Sequence, residues 1–209
     1  MVCWLCAVTA IAQDSAAPPP QQDERPVADT VKFLGGGVLA LALHEGGHLV
    51  FDGIFAAQPR LEGIRFGPFP FFAVTHRSGL PPREEFTISS AGFWVQEATD
   101  EWLLTRTWCR DGGPGCSFRD DRAWLPKGMF AFNVLNSVGY AMVAFAKAGP
   151  FERDTRGMAD AIRVDERTIG LVILAPAVLD AYRYFRPDSR VAVWLSRGVK
   201  IGSVLLVLR

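Results

Sequence analysis

The chain has 209 residues, with 22 Lys and Arg against 22 Asp and Glu, and 49% of it is hydrophobic. Balanced charge supplies neither a basic face for nucleic acid nor an acidic tail, so no nucleic-acid partner is expected. A mean hydropathy of +0.15 is high for a water-soluble domain and low for a chain that is mostly membrane, so individual segments must decide.

Residues 1–13, MVCWLCAVTAIAQ, have the apolar core and small-residue end of a signal-like or anchor segment. Residues 14–30 are rich in Pro, Ala and Gln, can bury little, and read as a disordered linker. Residues 31–209 form the remaining unit.

From residue 33 to 59 the only ionisable side chains are His44, Glu45, His48 and Asp52. As a helix this stretch would run about 40 Å, more than a bilayer core requires. Polar groups in the middle of such a helix are costly unless they have a task. Gly67-Pro68 and Pro70 then break any helix, and residues 60–80 are predicted to form a short β-hairpin or loop with an aromatic tip. Residues 86–108 suit an amphipathic helix, although Glu97, Asp100 and Glu101 would have to face a bundle interior. Cys109 and Cys116 bracket a turn-rich loop. A disulfide across it is sterically possible and would mark an extracytoplasmic side, and two free thiols fit equally well.

Gly128 to Ala146 is uncharged between Lys127 and Lys147 and suits a membrane span with one polar face bearing Asn133 and Asn136. Residues 147–167 read as a charged loop with a short helical stretch, and 168–185 as a weaker apolar segment interrupted by Pro176 and Asp180. From Val191 onward the chain suits a helix lying at a membrane interface. The fold class expected is mainly α, a polytopic membrane helical bundle with a short β-hairpin after the motif helix.

The chemistry sits in His44-Glu45-Gly46-Gly47-His48. Histidines at i and i+4 project from one helix face one turn apart, so both imidazoles can reach one zinc ion. Zinc needs a third protein ligand and keeps a fourth position open for water, whose pKa it lowers toward about 7. Glu45, beside the ligands, is placed to take the water's proton and return it to a leaving amine.

The stretch Leu43-His44-Glu45-Gly46-Gly47-His48-Leu49 resembles the site-2 protease family of intramembrane zinc metalloproteases. Ser90-Ala91-Gly92 is similar to the family's Ala-Gly-Pro turn, with Phe93 in place of Pro, and Asn133-Val134-Leu135-Asn136 is similar to its Asn-rich helix. The likeness covers roughly residues 33–160. It implies a multi-pass protein of the cell membrane, in contact with lipid, that uses Zn2+ to cut a peptide or transmembrane protein substrate within or near the bilayer. It also implies an aspartate as third ligand, downstream of the asparagines in a Leu-Asp-Gly context. Here the first aspartate after Asn136 is Asp154, followed at three residues by Gly157. Asp154 is therefore the leading third ligand, with His76, Glu97, Asp100 and Asp52 as alternatives, and Asp52 is better placed to orient His48. Two other readings stand beside the protease: a catalytically inactive membrane scaffold or binding relative, and a secreted soluble zincin.

Overall fold

The apolar, glycine-bearing stretch folds as one long helix, α1 (Pro26–Ile54). The computed structural model describes residues 26–66, 69–106, 117–119 and 122–205. The signal-like segment, most of the linker, and Cys109 and Cys116 lie outside them. The helix takes in residues 26–30, which composition alone assigns to the linker. A proline suits this position, because the first nitrogens of a helix have no partner to lose.

After α1 come β1 (Arg60–Phe66), β2 (Phe69–Thr75), α2 (Pro82–Thr105), α3 (Trp124–Ala146), α4 (Asp154–Ile162), α5 (Glu166–Phe185) and α6 (Arg190–Leu205). The expected mainly helical fold with a hairpin after the motif helix is what the described residues show. β1 and β2 pair antiparallel from Arg60 opposite Thr75 to Phe66 opposite Phe69. Among the described residues they make a two-stranded sheet, in which β2 has no strand on its other edge. The 147–167 stretch contains α4, and its short amphipathic character follows from Thr155, Met158 and Ala159 facing inward.

Packing depends on close backbone approach. α1 crosses α3 at Gly36 and Gly128. A methyl group on Gly36 would run into the Leu125 carbonyl, and one on Gly128 into the Phe33 carbonyl. α3 packs in turn on α5, α2 on both α1 and α4, and α6 on α5.

Three helices, α1, α3 and α5, are long and apolar enough to cross a membrane. On α1 the side chains are distributed in the reverse of a water-soluble helix. The buried stripe of α1 is Gly36, Ala40, His44, Gly47, His48 and Asp52, small and polar. Its exposed face carries Val31, Leu34, Val38, Leu43, Leu49, Val50 and Ile54. α6 repeats the inversion: Ser196, Lys200 and Ser203 are buried while Val191, Trp194, Leu195 and Ile201 are exposed. An apolar surface of this extent is unusual on a monomer in water.

α6 is thus not only an interfacial cover. Lys200 reaches inward to Asp180 at 2.6 Å and to Glu101 at 3.2 Å. Arg183 bonds Glu101 at 2.6 Å and Ser196 bonds Asp180 at 2.5 Å. Of the charges that make α2 and α5 poor lipid-facing helices by sequence, Glu101, Asp180 and Arg183 are paired inside the bundle with one another and with Lys200 of α6, while Glu97 and Asp100 accept hydrogen bonds from neutral side chains.

Candidate metal centre

Helical spacing places His44 and His48 on the inward face of α1, as the i, i+4 rule requires. Both imidazoles are buried, at 1% and 5% exposure. Their Nε2 atoms lie 3.3 Å apart. Asp154, the first residue of α4, brings Oδ2 to 3.3 Å from His44 Nε2 and 3.5 Å from His48 Nε2. Among the described residues these three form the group able to hold a metal ion.

The triangle can be tested against the ion. Ligands held about 2.0–2.1 Å from a tetrahedral centre sit about 3.3–3.4 Å from one another. The observed edges of 3.3, 3.3 and 3.5 Å match that spacing. One carboxylate and two imidazoles are also a donor set that zinc takes. Two ring nitrogens facing each other at this distance have no hydrogen bond to share unless one carries a proton, whereas a cation satisfies both.

Each ligand is held by a different device. His48 donates from Nδ1 to the Ile88 carbonyl on α2, at 2.7 Å. A carbonyl can only accept, so Nδ1 carries a proton and Nε2 is the nitrogen that faces Asp154. His44 Nδ1 is buried with no hydrogen-bond partner. Packing holds this ring instead. Phe93 meets it edge-on at 5.3 Å, Tyr140 lies at 6.0 Å, and Gly92 lies flat against it. A methyl group at Gly92 would stand 2.5 Å from His44 Cε1 and 2.6 Å from both ring nitrogens. Gly47, between the two histidines, meets the Ala91 carbonyl, where a methyl group would come within 2.9 Å. Ser90-Ala91-Gly92 is therefore the helix-crossing point of α2, not the turn that the resemblance implies.

Asp154 is fixed through its neighbours. Arg153 forks onto Glu166 with two bonds of 2.6 Å, and Thr155 donates to the same carboxylate at 2.7 Å. Glu166 opens α5, so both residues flanking Asp154 are tied to that helix. Gly157 lets α4 close on Ser89 of α2. The helix N-terminus adds a favourable dipole for the Asp154 anion. Burial opposes the charge, but the two imidazoles outweigh it and hold the carboxyl well below the usual carboxylate range.

The other proposed ligands lie elsewhere. His76 bonds Glu85 through Nε2 at 3.0 Å and faces Asp52 through Nδ1 at 3.6 Å. Asp52, one turn beyond His48 and fully buried, does not orient His48; Ile88 does. The Glu85 hydrogen bond leads the causes that raise His76 above the usual histidine range. Asp100 accepts from Asn133 at 2.7 Å, and Glu97 accepts from Ser203 at 3.1 Å. Both belong to the polar interior between α2, α3 and α6.

Of the two asparagines on α3, Asn133 serves Asp100. Asn136 bonds Gln96 at 3.4 Å and lines the cavity in front of the metal group. That cavity, of about 370 Å3, is also lined by Glu45, Asp154, Tyr140 and Phe72, Ala73 and Val74 of β2. Glu45 is half-buried at its wall, on the same helix as the ligands and separate from them. Sequence reasoning missed Glu166, Ile88 and Tyr140. Gly92 was noticed, though as part of a turn. Comparison with family models, with curated proteins and with solved structures finds no match to this chain.

Proposed function

We propose that this chain is a membrane-embedded, zinc-dependent endopeptidase, a divergent relative of the site-2 protease family. The observation that carries the reading is the triangle of His44, His48 and Asp154, whose edges suit a tetrahedral ion, and whose Asp154 lines a cavity that Glu45 also lines. The reversed helices support the membrane setting. Their apolar side chains face outward where lipid tails would lie, and small and polar residues mediate helix contact.

Bound by these three side chains, zinc would polarise a peptide carbonyl and acidify a water molecule. The protein's own groups do the rest. Asp154 and the two imidazoles fix the position of the ion, and Ile88, Gly92 and Glu166 fix the ligands. Glu45 takes the water's proton and passes it to the departing amine, which restores its carboxylate. β2 presents a strand edge beside Glu45, and an extended substrate backbone can add to it. Lipid and a peptide or transmembrane protein are the partners this reading implies.

Glu45→Gln separates enzyme from scaffold. The substitution keeps size and polarity and removes the base. Zinc content should stay near one per chain, while cleavage of a transmembrane model peptide falls by about 10²- to 10⁴-fold. Asp154→Ala should lose zinc and cleavage together. Undiminished cleavage by Glu45→Gln would end the proteolytic reading. Absence of zinc from wild-type protein purified without chelators would end the metal reading with it.

A further inference from the structure

The charges in the polar interior of the bundle do not balance. Four carboxylates, Glu97, Asp100, Glu101 and Asp180, meet three cations there, Arg183, Arg197 and Lys200. All three cations bond Glu101, and Arg183 and Lys200 also reach Asp180. Among the described residues no cation pairs with Glu97 or Asp100. Glu97 has the Ser203 hydroxyl at 3.1 Å, at the α6 side. Asp100 has the Asn133 amide at 2.7 Å, between α2 and α3.

Asp100 is the more deeply placed, at 4% exposure. An ionised carboxylate at such depth, held by one neutral amide, recovers little of its lost hydration. Two further groups beside it are unfinished. Asn133 is 2% exposed; its Nδ2 donates to Asp100, while its Oδ1 has no partner among the described residues. Gln96, one turn before Asp100 on α2, is 3% exposed. Its Oε1 accepts from Asn136 at 3.4 Å, while its Nε2 has no partner among the described residues. The pairs Gln96–Asn136 and Asp100–Asn133 thus stand as neighbouring rungs between two helices, with an orphan acceptor and an orphan donor alongside a buried carboxylate.

A proton on Asp100 would remove the charge and leave the Asn133 oxygen without a partner. A cation answers both deficits, because hard cations take carboxylate and amide oxygens in one shell. A water ligand on that ion would accept from Gln96 Nε2, as buried waters do beside unsatisfied polar groups. The charge of the ion follows from the count of carboxylates. Asp180, also buried, is occupied by Lys200 at 2.6 Å and Arg183 at 3.3 Å, which leaves Asp100 as the one anion among these amides. A single negative charge suits a single positive one. We propose that Asp100, Asn133 and Gln96 form a binding site for a monovalent alkali cation between α2 and α3. It shares no residue with the metal centre and does not depend on the proteolytic reading.

The test uses the full chain in neutral detergent, exchanged into N-methylglucamine chloride at a fixed, mildly alkaline pH. Sodium or potassium then replaces the organic cation at constant ionic strength, so that screening does not change. At least one of the two ions should raise the thermal midpoint by about 3–5 °C for each tenfold increase above its dissociation constant. Asp100→Asn removes the charge, keeps the shape, and should abolish that response while zinc content stays at the wild-type value. Glu97→Gln should keep the response. Excess broadening of the sodium NMR line by wild-type protein, relieved by Asp100→Asn, gives a readout that does not rest on unfolding. A midpoint and a sodium line both indifferent to the alkali ions would overturn the proposal and leave a proton as the neutralising partner of Asp100. A response that survives Asp100→Asn would overturn it as well, because the ion would then sit elsewhere.

Discussion

Gly92→Ala is the most exacting test of how the metal group is built. The added methyl would lie 2.5–2.6 Å from three atoms of the His44 ring. Non-bonded carbon contacts settle near 3.5–4.0 Å, so the ring must retreat by about 1 Å. Metal ligands tolerate only about 0.2 Å of error. His44 has no hydrogen bond at Nδ1 to guide it back. We expect zinc affinity to fall by at least the 10–100-fold typical of a disturbed ligand support. The change should favour the helix itself by about 0.5–1 kcal/mol, so helical content should be retained. Gly35→Ala, where a new methyl meets nothing within 4 Å, is the control and should keep normal affinity. The assay is competition against a chromophoric chelator, with circular dichroism alongside. Wild-type zinc affinity in Gly92→Ala would refute the claim that packing against Gly92 positions His44.

Three further outcomes follow. Glu166→Gln should loosen Asp154 by weakening both the Arg153 fork and the Thr155 bond, lowering zinc affinity by about 10-fold or more; unchanged affinity in the chelator assay would contradict the anchoring role. Zinc should dissociate on acidification, because protons compete for the histidine nitrogens, whereas the depressed Asp154 carboxyl stays ionised to lower pH; metal retention at pH 4 would speak against histidine ligation. His76→Ala should leave zinc stoichiometry at the wild-type value. A raised histidine adds stability that is present below its unfolded pKa and lost as pH rises through the folded value. The thermal midpoint should therefore drop more at pH 6 than at pH 9, and equal drops would contradict the pairing with Glu85 and Asp52.

The sequence carried the parts of this fold that depend on local pattern. One-turn spacing predicted that His44 and His48 share a face, Pro70 argued against helix where β2 runs, and the uncharged run at 128–146 marked α3; Gly67-Pro68 lies outside the described residues. What local pattern could not carry was long-range closure. Asp154 lies 110 positions from His44, and only the folding of α4 against α2 brings it in. Its support from Glu166 is a pairing across a loop with no periodic signature. Asn133 and Asn136 share a helical face, yet the offset of about 60° between positions three apart sends one to Asp100 and the other to the cavity. Asp52 looked like a partner for His48 because it follows one turn later, but the His48 ring turns its Nδ1 toward a backbone carbonyl on another helix. Composition placed 26–30 in a linker because it weighs residues in bulk, whereas a helix start depends on single positions such as Pro26.

The buried stripe of α1 has a consequence for how this helix can vary. Gly36, Ala40, His44, His48 and Asp52 recur at intervals of four. The near half of the row sets how closely α3 approaches, and the far half carries the ligands, so contact and chemistry share one register. Inserting a single residue between Ala40 and His44 would turn one half against the other by about 100° and slide it about 1.5 Å. The glycine would still meet α3, but the imidazoles would then point away from Asp154. Length in this part of α1 is therefore as tightly constrained as residue identity.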